Sequence, residues 1–304
     1  GYALHISMAA INKVAKKFDA DHVVFMLEGR SWRKDHYKPY KANRSEARAA
    51  QNETEQEEEK LFWETFDDFS TYIREKTNCS VLRDPNAEAD DLIARWIALH
   101  PTDEHVIISS DSDFYQLITK NVTQFNGITD NLITLEGIYD AKGKQVIDKK
   151  TKEPKLLGDP EWLLFEKCMR GDSSDNVFSA YPGVRKKGTK NKVGLLEAFE
   201  DRKSKGYAWN NMMLQRWTDH NGAEHRVLDD YNRNKELIDL TAMPDEIKDR
   251  VDLAIITQLT NKDVGQVGSK FLKFCGKYEL TRLSDNAEQY GRWLNQTYQG
   301  ALKQ

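Results

Sequence analysis

The chain has 304 residues, of which 39% are hydrophobic and 31% charged, and its formal net charge is −4. That is the balance of a folded globular protein, and no apolar run approaches the roughly 18 residues of a membrane-spanning helix. The three cysteines lie too far apart in sequence to indicate a disulfide framework or a zinc knuckle, so we expect a reducing, cytoplasmic setting, the host cytoplasm if the protein is viral.

Helices and strands alternate along the first half of the sequence. Apolar residues at helical spacing indicate amphipathic helices, and short apolar runs indicate buried strands. The predicted elements are a helix over 4–18, a strand at 22–27, a helix over 45–76, a strand at 81–82, a helix over 85–99 and a strand at 106–108. This alternation predicts an α/β fold with a mostly parallel central sheet and helices on both faces.

A hairpin and a well-marked helix follow these elements. Residues 132–150 predict a β-hairpin whose turn lies at 140–143. Asp159 and Pro160 are typical of a helix start, because aspartate caps the first turn and proline is tolerated there. The helix is expected to end at Gly171.

The remainder of the chain predicts mainly helical structure. A polar stretch around 201–225 is interpreted as a loop between helices. We therefore expect an α/β domain over residues 1–175 and a helical C-terminal region over residues 176–304.

Two short stretches of the chain are strongly basic. Residues 30–48 carry seven basic side chains against two acidic ones, with aromatic residues between them, and residues 185–192 carry five basic side chains and no acid. Basic groups contact nucleic-acid backbones and aromatic rings stack on splayed bases, although a solvated charged face has a similar composition. The candidate nucleic-acid-binding residues are Arg30, Arg33, Lys34, Tyr40, Lys41, Arg44, Arg185, Lys186, Lys187, Lys190 and Lys192.

Acidic side chains stand at the ends of four predicted elements. They are Glu28, then Glu88, Asp90 and Asp91, then Asp111 and Asp113, and finally Asp172 and Asp175. Ligands of an open α/β sheet bind at the carboxyl ends of its strands, so several of these carboxylates are expected to converge. Converging carboxylates suit Mg²⁺ or Mn²⁺, and two such ions can activate a water and stabilise the leaving oxygen in phosphodiester hydrolysis.

Each acidic cluster has an ordinary structural alternative. Acids in the first turn of a helix interact well with the helix dipole, and an Asp-x-Asp sequence after a strand is also common in turns. Four such clusters, each at an element end, are much harder to ascribe to chance. A metabolic phosphate-binding protein is disfavoured, because the sequence has no glycine-rich phosphate loop.

Taken together, the motifs resemble those of the 5′-nuclease superfamily, and look most like the T-even phage ribonuclease H type. The superfamily comprises flap endonucleases, the 5′-nuclease domains of bacterial polymerases and phage 5′-exonucleases. The matching segments are Glu28, Tyr40–Arg44, Glu88–Asp91, Ser110–Phe114, Gly171–Asn176 and Tyr231–Leu240. The resemblance runs from near residue 1 to about residue 245.

This resemblance implies a PIN-like sheet, a helical arch over 45–75, a helix–hairpin–helix-like DNA-binding element, and two metal ions. It assigns Glu28, Glu88, Asp90 and Asp111 to the first ion, Asp113, Asp172 and Asp175 to the second, and Asp91 to a shared or supporting role. It also implies that Lys41 and Arg44 act on the scissile phosphate as catalytic residues. Residues 1–175 would then be the catalytic domain and 176–304 the DNA-binding region.

The implied activity is that of a 5′→3′ exonuclease or flap endonuclease. The expected substrates are DNA with 5′ flaps or ends and RNA–DNA hybrids, cleaved during primer removal in replication. We expect a monomer without membrane association, and a single-strand-binding protein or a polymerase as protein partner.

The chain departs from the family pattern in three places. The family begins with a strand that ends in a metal-binding Asp, and this sequence starts too late to contain it. We expect either that this strand lies upstream of Gly1 or that the first metal site is impaired. Glu28 stands where the family usually has Asp. The loop at Pro182-Gly183-Val184 lacks the second glycine of the helix–hairpin–helix, which argues against K⁺ binding there.

Two alternatives remain open from the sequence. A PIN-like RNA endonuclease would share the α/β sheet and the carboxylates, but such proteins are usually shorter and lack the arch. The second alternative is a DNA-binding relative with impaired catalysis, which the missing first Asp suggests.

Overall fold

The computed structural model describes residues 2–183, 185–260 and 262–300, so Gly1 and Val184 of the departures above lie outside the described residues. The helices are α1 (Tyr2–Lys17), α2 (Arg33–His36), α3 (Ala42–Ala49), α4 (Glu53–Lys76), α5 (Ala89–Leu99), α6 (Pro160–Arg170), α7 (Leu195–Glu200), α8 (Tyr207–Met213), α9 (Val227–Ile238), α10 (Asp245–Thr260), α11 (Val267–Lys277), α12 (Thr281–Ser284) and α13 (Ala287–Leu294). Across these ranges, no helix has the length and apolar character required to span a bilayer.

The strands are short and form small sheets. They are β1 (Val24–Leu27), β2 (Ser80–Arg83), β3 (His105–Ile108), β4 (Val122–Asn126), β5 (Asn131–Ile133), β6 (Ile138–Tyr139), β7 (Arg216–Thr218) and β8 (Glu224–Arg226). β1 pairs with β2 in parallel, and β3 pairs with β4 in parallel. The fold is therefore α/β with parallel strand pairs and a helical C-terminal region, as the sequence predicts.

The chain divides into two compact units. Unit 1 contains residues 1–31, 47–101 and 245–304, and unit 2 contains residues 32–46 and 102–244. The domain boundary expected after residue 175 falls within unit 2, and the division of roles between the two predicted domains stays a prediction.

Unit 1 is built on the parallel pair β1–β2 and the helices around it. Apolar residues of α1, α4, α11 and α13 form a large buried cluster, which includes Met8, Ile73, Phe271 and Leu294. The predicted helix over 45–76 is interrupted at residues 50–52. Asn52 begins α4 with a reciprocal cap, because its side chain accepts a hydrogen bond from the Glu55 amide while Glu55 accepts one from the Asn52 amide, both at 2.9 Å.

A glycine at the end of β1 determines where Glu28 lies. The Gly29 amide donates to the Ala87 carbonyl at 3.0 Å, and a Cβ on Gly29 would collide with the carbonyl oxygen of Asp84. Only glycine permits this close approach of the two backbones. As a result Glu28 reaches the start of α5, where its Oε2 accepts a hydrogen bond from the Ala89 amide at 2.8 Å.

Unit 2 is built on a four-stranded sheet with the order β3-β4-β5-β6. After the parallel pair β3–β4, the sheet continues antiparallel through β5 and β6. A short 3₁₀ turn, Ser112–Leu117, follows β3, and α6 lies against it. The predicted turn at 140–143 is present, since the Gly143 amide donates to the Asp140 carbonyl at 2.9 Å.

The polar stretch around 201–225 is not a simple loop, so that prediction was wrong. It contains α8 and the antiparallel pair β7–β8. Trp217 on β7 stacks on His225 of β8 with ring centroids 4.4 Å apart, and its indole N–H donates to the Ala180 carbonyl at 2.7 Å. The ring contact joins the two strands of the pair, and the hydrogen bond reaches Ala180, which lies outside the stretch. The polar composition of residues 201–225 indicates neither contact.

A buried ion pair in unit 1 offers a test of the packing. Arg250 on α10 donates through Nε and one Nη to the two carboxylate oxygens of Asp84, at 2.6 and 2.7 Å, and the Asp84 side chain is only 4% exposed. Burial alone would raise the pKa of Asp84, but the hydrogen bonds and charge of Arg250 outweigh it and the pKa is lowered.

We expect Arg250→Met to lower the free energy of unfolding at neutral pH by about 2 kcal/mol, because it leaves a buried carboxylate without its partner. The value is below the about 3–5 kcal/mol of a fully buried pair, since 39% of the Arg250 side chain is exposed. The wild-type contribution is present above the carboxyl's unfolded pKa of about 3.9 and is lost as pH falls through its lowered folded pKa. Urea denaturation at several pH values should therefore show the difference shrinking in acid.

The control for this measurement is Arg282→Met on α12, where the arginine is exposed. Its effect should stay within about 0.5 kcal/mol. A variant at Arg250 that is as stable as wild type at neutral pH would contradict the role given to the pair.

Candidate metal centre

The end of α6 positions two of the predicted acidic residues. Gly171 ends the helix with φ +77°, and a Cβ there would collide with the Val177 carbonyl oxygen. The chain then turns back, because the amides of Asp172 and Val177 each donate to the other residue's carbonyl at 2.8 Å. This closed loop holds Asp172 and Asp175.

The turn after β3 positions Asp111 and Asp113. Gln124 of β4 is buried, and its side-chain amide donates to the carbonyls of Ser109 and Asp111 at 2.9 and 2.7 Å. Asp111 caps the 3₁₀ turn by accepting a hydrogen bond from the Asp113 amide at 2.9 Å. Both aspartates therefore lie in the turn that directly follows the carboxyl end of β3.

Asp113, Asp172 and Asp175 come together in unit 2. One carboxylate oxygen from each lies within 4.8 Å of the others, and the three side chains are largely buried, with 17%, 11% and 13% of their surface exposed. Hard oxygen donors at this spacing suit a divalent cation such as Mg²⁺ or Mn²⁺, which would relieve their mutual repulsion. The donor set therefore fits the second ion site that the resemblance implies.

Lys167 on α6 is a site residue that the sequence analysis did not identify. Its ammonium group contacts Asp113 and lies 2.9 Å from Asp172. It thus places a positive charge between two of the three carboxylates. The available signal was its place in the last turn of a helix that leads directly into an acidic loop, where a basic side chain is favoured.

Asp175 is contacted by the first turn of α3 and by the two residues before that helix. Arg44 donates to its Oδ1 at 2.7 Å, the Lys41 ammonium lies 3.8 Å from its Oδ2, and the Tyr40 hydroxyl donates to Oδ2 at 3.3 Å. The Lys41 amide also donates to the Asp175 carbonyl at 2.8 Å, with Lys41 at φ +54°. Lys41 and Arg44, the predicted catalytic residues, are therefore held beside the acidic cluster.

The pKa values of this group reflect burial and the lysine. Burial raises the pKa of Asp113, and Lys167 offsets this only in part. Burial also acts to raise the pKa of Asp172, but hydrogen bonds from Ser174 and Lys167 outweigh it, so that this pKa is lowered. Burial would lower the pKa of Lys167, but the two aspartates raise it and keep the ammonium charged.

The remaining predicted acids belong to unit 1 and stand at the start of α5. Glu88 is the residue before the helix and is 3% exposed, and its amide donates to the Asp91 carboxylate at 3.0 Å. Asp91 is fully buried, so it supports the helix start. Glu28 lies at the same helix end through Ala89. In the described part of unit 1, Glu28, Glu88 and Asp90 do not form a close three-carboxylate group like that of unit 2, and their role as metal ligands stays a prediction.

Two candidate nucleic-acid contacts need correction. Arg33 is 1% exposed, and its Nε donates to the Leu237 carbonyl at 2.7 Å, so its guanidinium is part of the core of unit 2. Tyr40 is 4% exposed and is bonded to Asp175, so it positions that carboxylate and cannot stack on a base. The other candidates are half-buried or exposed, and the basic residues of 185–192 are exposed.

The basic stretch 185–192 is part of a tight loop that leads into α7. Gly188 approaches Gly194 closely, and the Glu197 carboxylate accepts hydrogen bonds from the amides of both glycines. Lys186 lies over the Trp162 ring and Lys192 over the Tyr181 ring. Basic side chains are thus presented on a loop that is closed by hydrogen bonds from the Gly188 and Gly194 amides to Glu197.

Known proteins resemble this chain in sequence. Residues 2–150 match the family described as 5′-3′ exonuclease, N-terminal resolvase-like domain. Over 202 residues the chain is 29% identical to a 5′-3′ exonuclease of Mycoplasmopsis pulmonis (strain UAB CTIP), covering 65% of this chain and 59% of that protein. Over 196 residues it is 26% identical to the flap endonuclease of Escherichia phage T5, covering 63% of this chain and 61% of that protein. The chain thus spans about three fifths of the length of these curated relatives.

A solved structure has a similar fold. The T5 5′-exonuclease with divalent metal ions (zinc) bound superposes with a TM-score of 0.56 at 22% identity. The superposition covers 84% of this chain and 90% of that chain. At this identity the likeness shows the fold.

The position of Lys167 leads to a prediction about cation binding. We expect Lys167→Met to bind Mn²⁺ at least about tenfold more tightly than wild type, because the ion no longer competes with an ammonium group for Asp113 and Asp172. Asp172→Asn should have the opposite effect and weaken binding at least about tenfold, because it removes a charged ligand. Isothermal titration calorimetry measures both.

Asp229→Asn, on the exposed side of α9, is the matched control and should bind Mn²⁺ as wild type does. Equal affinities for wild type and both site variants would show that the cluster does not bind the ion.

Proposed function

Because the chain belongs to the 5′-nuclease superfamily, with its 5′-3′ exonuclease N-terminal domain over residues 2–150, we propose that it is a divalent-metal-dependent 5′→3′ exonuclease or flap endonuclease. Its substrates are DNA with 5′ flaps or ends and RNA–DNA hybrids, and its role is primer removal during replication. One observation carries this proposal: Asp113, Asp172 and Asp175 form a close group of carboxylates with Lys41 and Arg44 beside it.

The names of the relatives agree with this activity. The Mycoplasmopsis pulmonis protein is called a 5′-3′ exonuclease and the phage T5 protein a flap endonuclease. The segments through which this chain resembles that superfamily include the acidic motifs at Ser110–Phe114 and Gly171–Asn176. These are the segments that build the cluster.

The side chains of unit 2 can act on a phosphodiester in the following way. Asp113, Asp172 and Asp175 would hold Mg²⁺ or Mn²⁺, which when bound supplies Lewis acidity toward a phosphodiester. Lys41 and Arg44 present positive charge and N–H donors to a phosphate brought to the cluster, and they stabilise the negative charge that develops on it. Asp175 and Tyr40 orient the two basic side chains.

Lys167 keeps the carboxylates compatible with one another when no phosphate or cation is bound. Its ammonium group balances Asp113 and Asp172, so the cluster is preformed at little cost in repulsion. Carboxylates that already lie close together do not have to be assembled when the substrate arrives, which is the general advantage of a preorganised site.

The first ion that the resemblance implies is also part of the proposal. Glu28, Glu88 and Asp90 of unit 1 are proposed as metal ligands, and Asp91 supports the helix start at Glu88. Asp111, in the turn after β3, is proposed as a metal ligand in its own right. We also propose that the protein acts as a monomer in the cytoplasm, together with a polymerase or a single-strand-binding protein.

The proposal is tested by cleavage of a 5′-labelled flap DNA in Mg²⁺. We expect wild type to release the flap, and Asp172→Asn to reduce the rate by at least about a hundredfold, because it removes a ligand of the cluster. The variant should still bind the flap DNA within a few-fold of wild type. Asp229→Asn is the control and should cleave at the wild-type rate.

Parallel reactions on an RNA–DNA hybrid and on single-stranded RNA separate the alternatives. Faster cleavage of single-stranded RNA than of flap DNA would favour a PIN-like RNA endonuclease. Binding of flap DNA without cleavage in Mg²⁺ or Mn²⁺ would favour a DNA-binding relative with impaired catalysis. Wild-type rates in Asp172→Asn would refute the site assignment.

A further inference from the structure

A lysine-rich segment of unit 2 has no part in the site described above. Residues 140–157 contain six lysines and three acids in a chain whose overall charge is negative. The lysines are Lys142, Lys144, Lys149, Lys150, Lys152 and Lys155, and every one of them is exposed. We call residues 138–157 the basic meander.

The basic meander folds back on itself in two consecutive turns. The first turn is closed by the Asp140 amide, which donates to the Lys144 carbonyl at 2.8 Å, and the second by the Lys152 amide, which donates to the Asp148 carbonyl at 2.9 Å. Hydrogen bonds between Val146 and both Ile138 and Lys155 join the three passes of the chain. The backbone of the basic meander is thus held in place by hydrogen bonds between its own passes.

The acids of the basic meander serve its turns. The Asp140 carboxylate accepts the amides of Lys142 and Lys144, both at 2.9 Å, and the Asp148 carboxylate accepts the amides of Lys150 and Thr151 at 2.8 and 3.0 Å. Within the described residues, none of the six lysine ammonium groups forms an ion pair or a hydrogen bond. Lys41 and Lys167 of the same unit, in contrast, contact carboxylates.

The basic meander is attached firmly to the elements that carry the metal centre. Ile138 and Leu157 at its two ends are buried in a cluster with Ile118 and Ile133, and Val146 packs against that cluster. Tyr115 of the 3₁₀ turn and Leu163 of α6 pack there too. Those two elements carry Asp113 and Lys167. The backbone of the basic meander is therefore fixed in position relative to the acidic cluster.

We propose that the basic meander is a second nucleic-acid contact surface, which binds the phosphate backbone of the double-stranded part of the substrate. This inference rests on the proposed function, since it takes the substrate to be a nucleic acid. Unpaired ammonium groups on an ordered support are suited to phosphates, and binding them releases counterions.

The composition favours a duplex over a single strand. The half-buried Tyr139 is the one aromatic residue of the basic meander, and residues 140–157, which carry the lysines, contain none. Proteins that bind single strands, in contrast, use aromatic rings on which the unpaired bases stack. The middle pass, residues 145–147, separates the two turns by about 10 Å, so lysines at the two turns can contact different phosphates. Recognition of this kind is independent of sequence.

The test is equilibrium binding of a fluorescent blunt DNA duplex, followed by anisotropy in EDTA at about 50 to about 200 mM salt. The variant combines Lys149→Gln, Lys150→Gln and Lys152→Gln. We expect its dissociation constant to rise about tenfold, and the slope of log affinity against log salt to fall by about two to three, as for the loss of three phosphate contacts. A single strand of the same length should lose much less affinity.

Two controls accompany the variant. Lys13→Gln, Lys16→Gln and Lys17→Gln on α1 remove the same charge from another exposed surface and should leave duplex binding within about twofold of wild type. The variant that combines Lys149→Arg, Lys150→Arg and Lys152→Arg keeps the charge and should bind the duplex as wild type does. Circular dichroism melting verifies that each protein is folded.

Wild-type affinity and salt dependence in the folded meander variant would overturn the inference, as would an equal loss in the α1 variant. An equal loss of single-strand binding would overturn the assignment to duplex. Because the measurement is made in EDTA, its outcome is separate from the cleavage test of the proposed function. A protein that cleaves flaps but shows no meander effect refutes only the further inference.

Discussion

Electrostatic repulsion among Asp113, Asp172 and Asp175 is the constraint on which the rest of unit 2 depends. Three carboxylates within 4.8 Å of one another destabilise a fold unless positive charge is placed between them. The protein supplies that charge from two directions. Lys167 on α6 contacts two of the aspartates, and Arg44 with Lys41 contacts the third. The same balance leaves the carboxylates available to a divalent cation, since ammonium and guanidinium groups can be displaced.

Holding the carboxylates at this spacing requires backbone that ordinary elements do not provide. Gly171 turns the chain sharply after α6, and Gln124 fixes the turn that carries Asp113 through two hydrogen bonds to backbone carbonyls. In unit 1, Gly29 plays a comparable part, because it allows Glu28 to reach the start of α5. Acidic residues are therefore placed by the glycines and side-chain hydrogen bonds around them, which explains why they follow the ends of elements.

Charge elsewhere in unit 2 is arranged differently. In the acidic cluster every aspartate has a basic partner, whereas the six lysines of the basic meander have none among the described residues. A preformed acidic centre suits a cation, and unpaired lysines on an ordered support suit a polyanion. The two features share one apolar support, the cluster around Ile118 and Ile133. A substrate that is both phosphate-rich and cleaved with the help of divalent ions matches both.

The sequence by itself determined most of the helices and strands as far as α6 and which acids stand at their ends, because helix periodicity, apolar runs, caps and turn residues act between near neighbours in the chain. It predicted α1, β1, β3 and α6 closely, together with all three aspartates of the cluster. Only the tertiary structure decided which partners those acids have. Lys167 is 54 residues from Asp113, Tyr40 is 135 residues from Asp175, and the buried Arg33 is 204 residues from the carbonyl that accepts its hydrogen bond. Contacts over such separations depend on how whole elements pack, and no local pattern of residues records them.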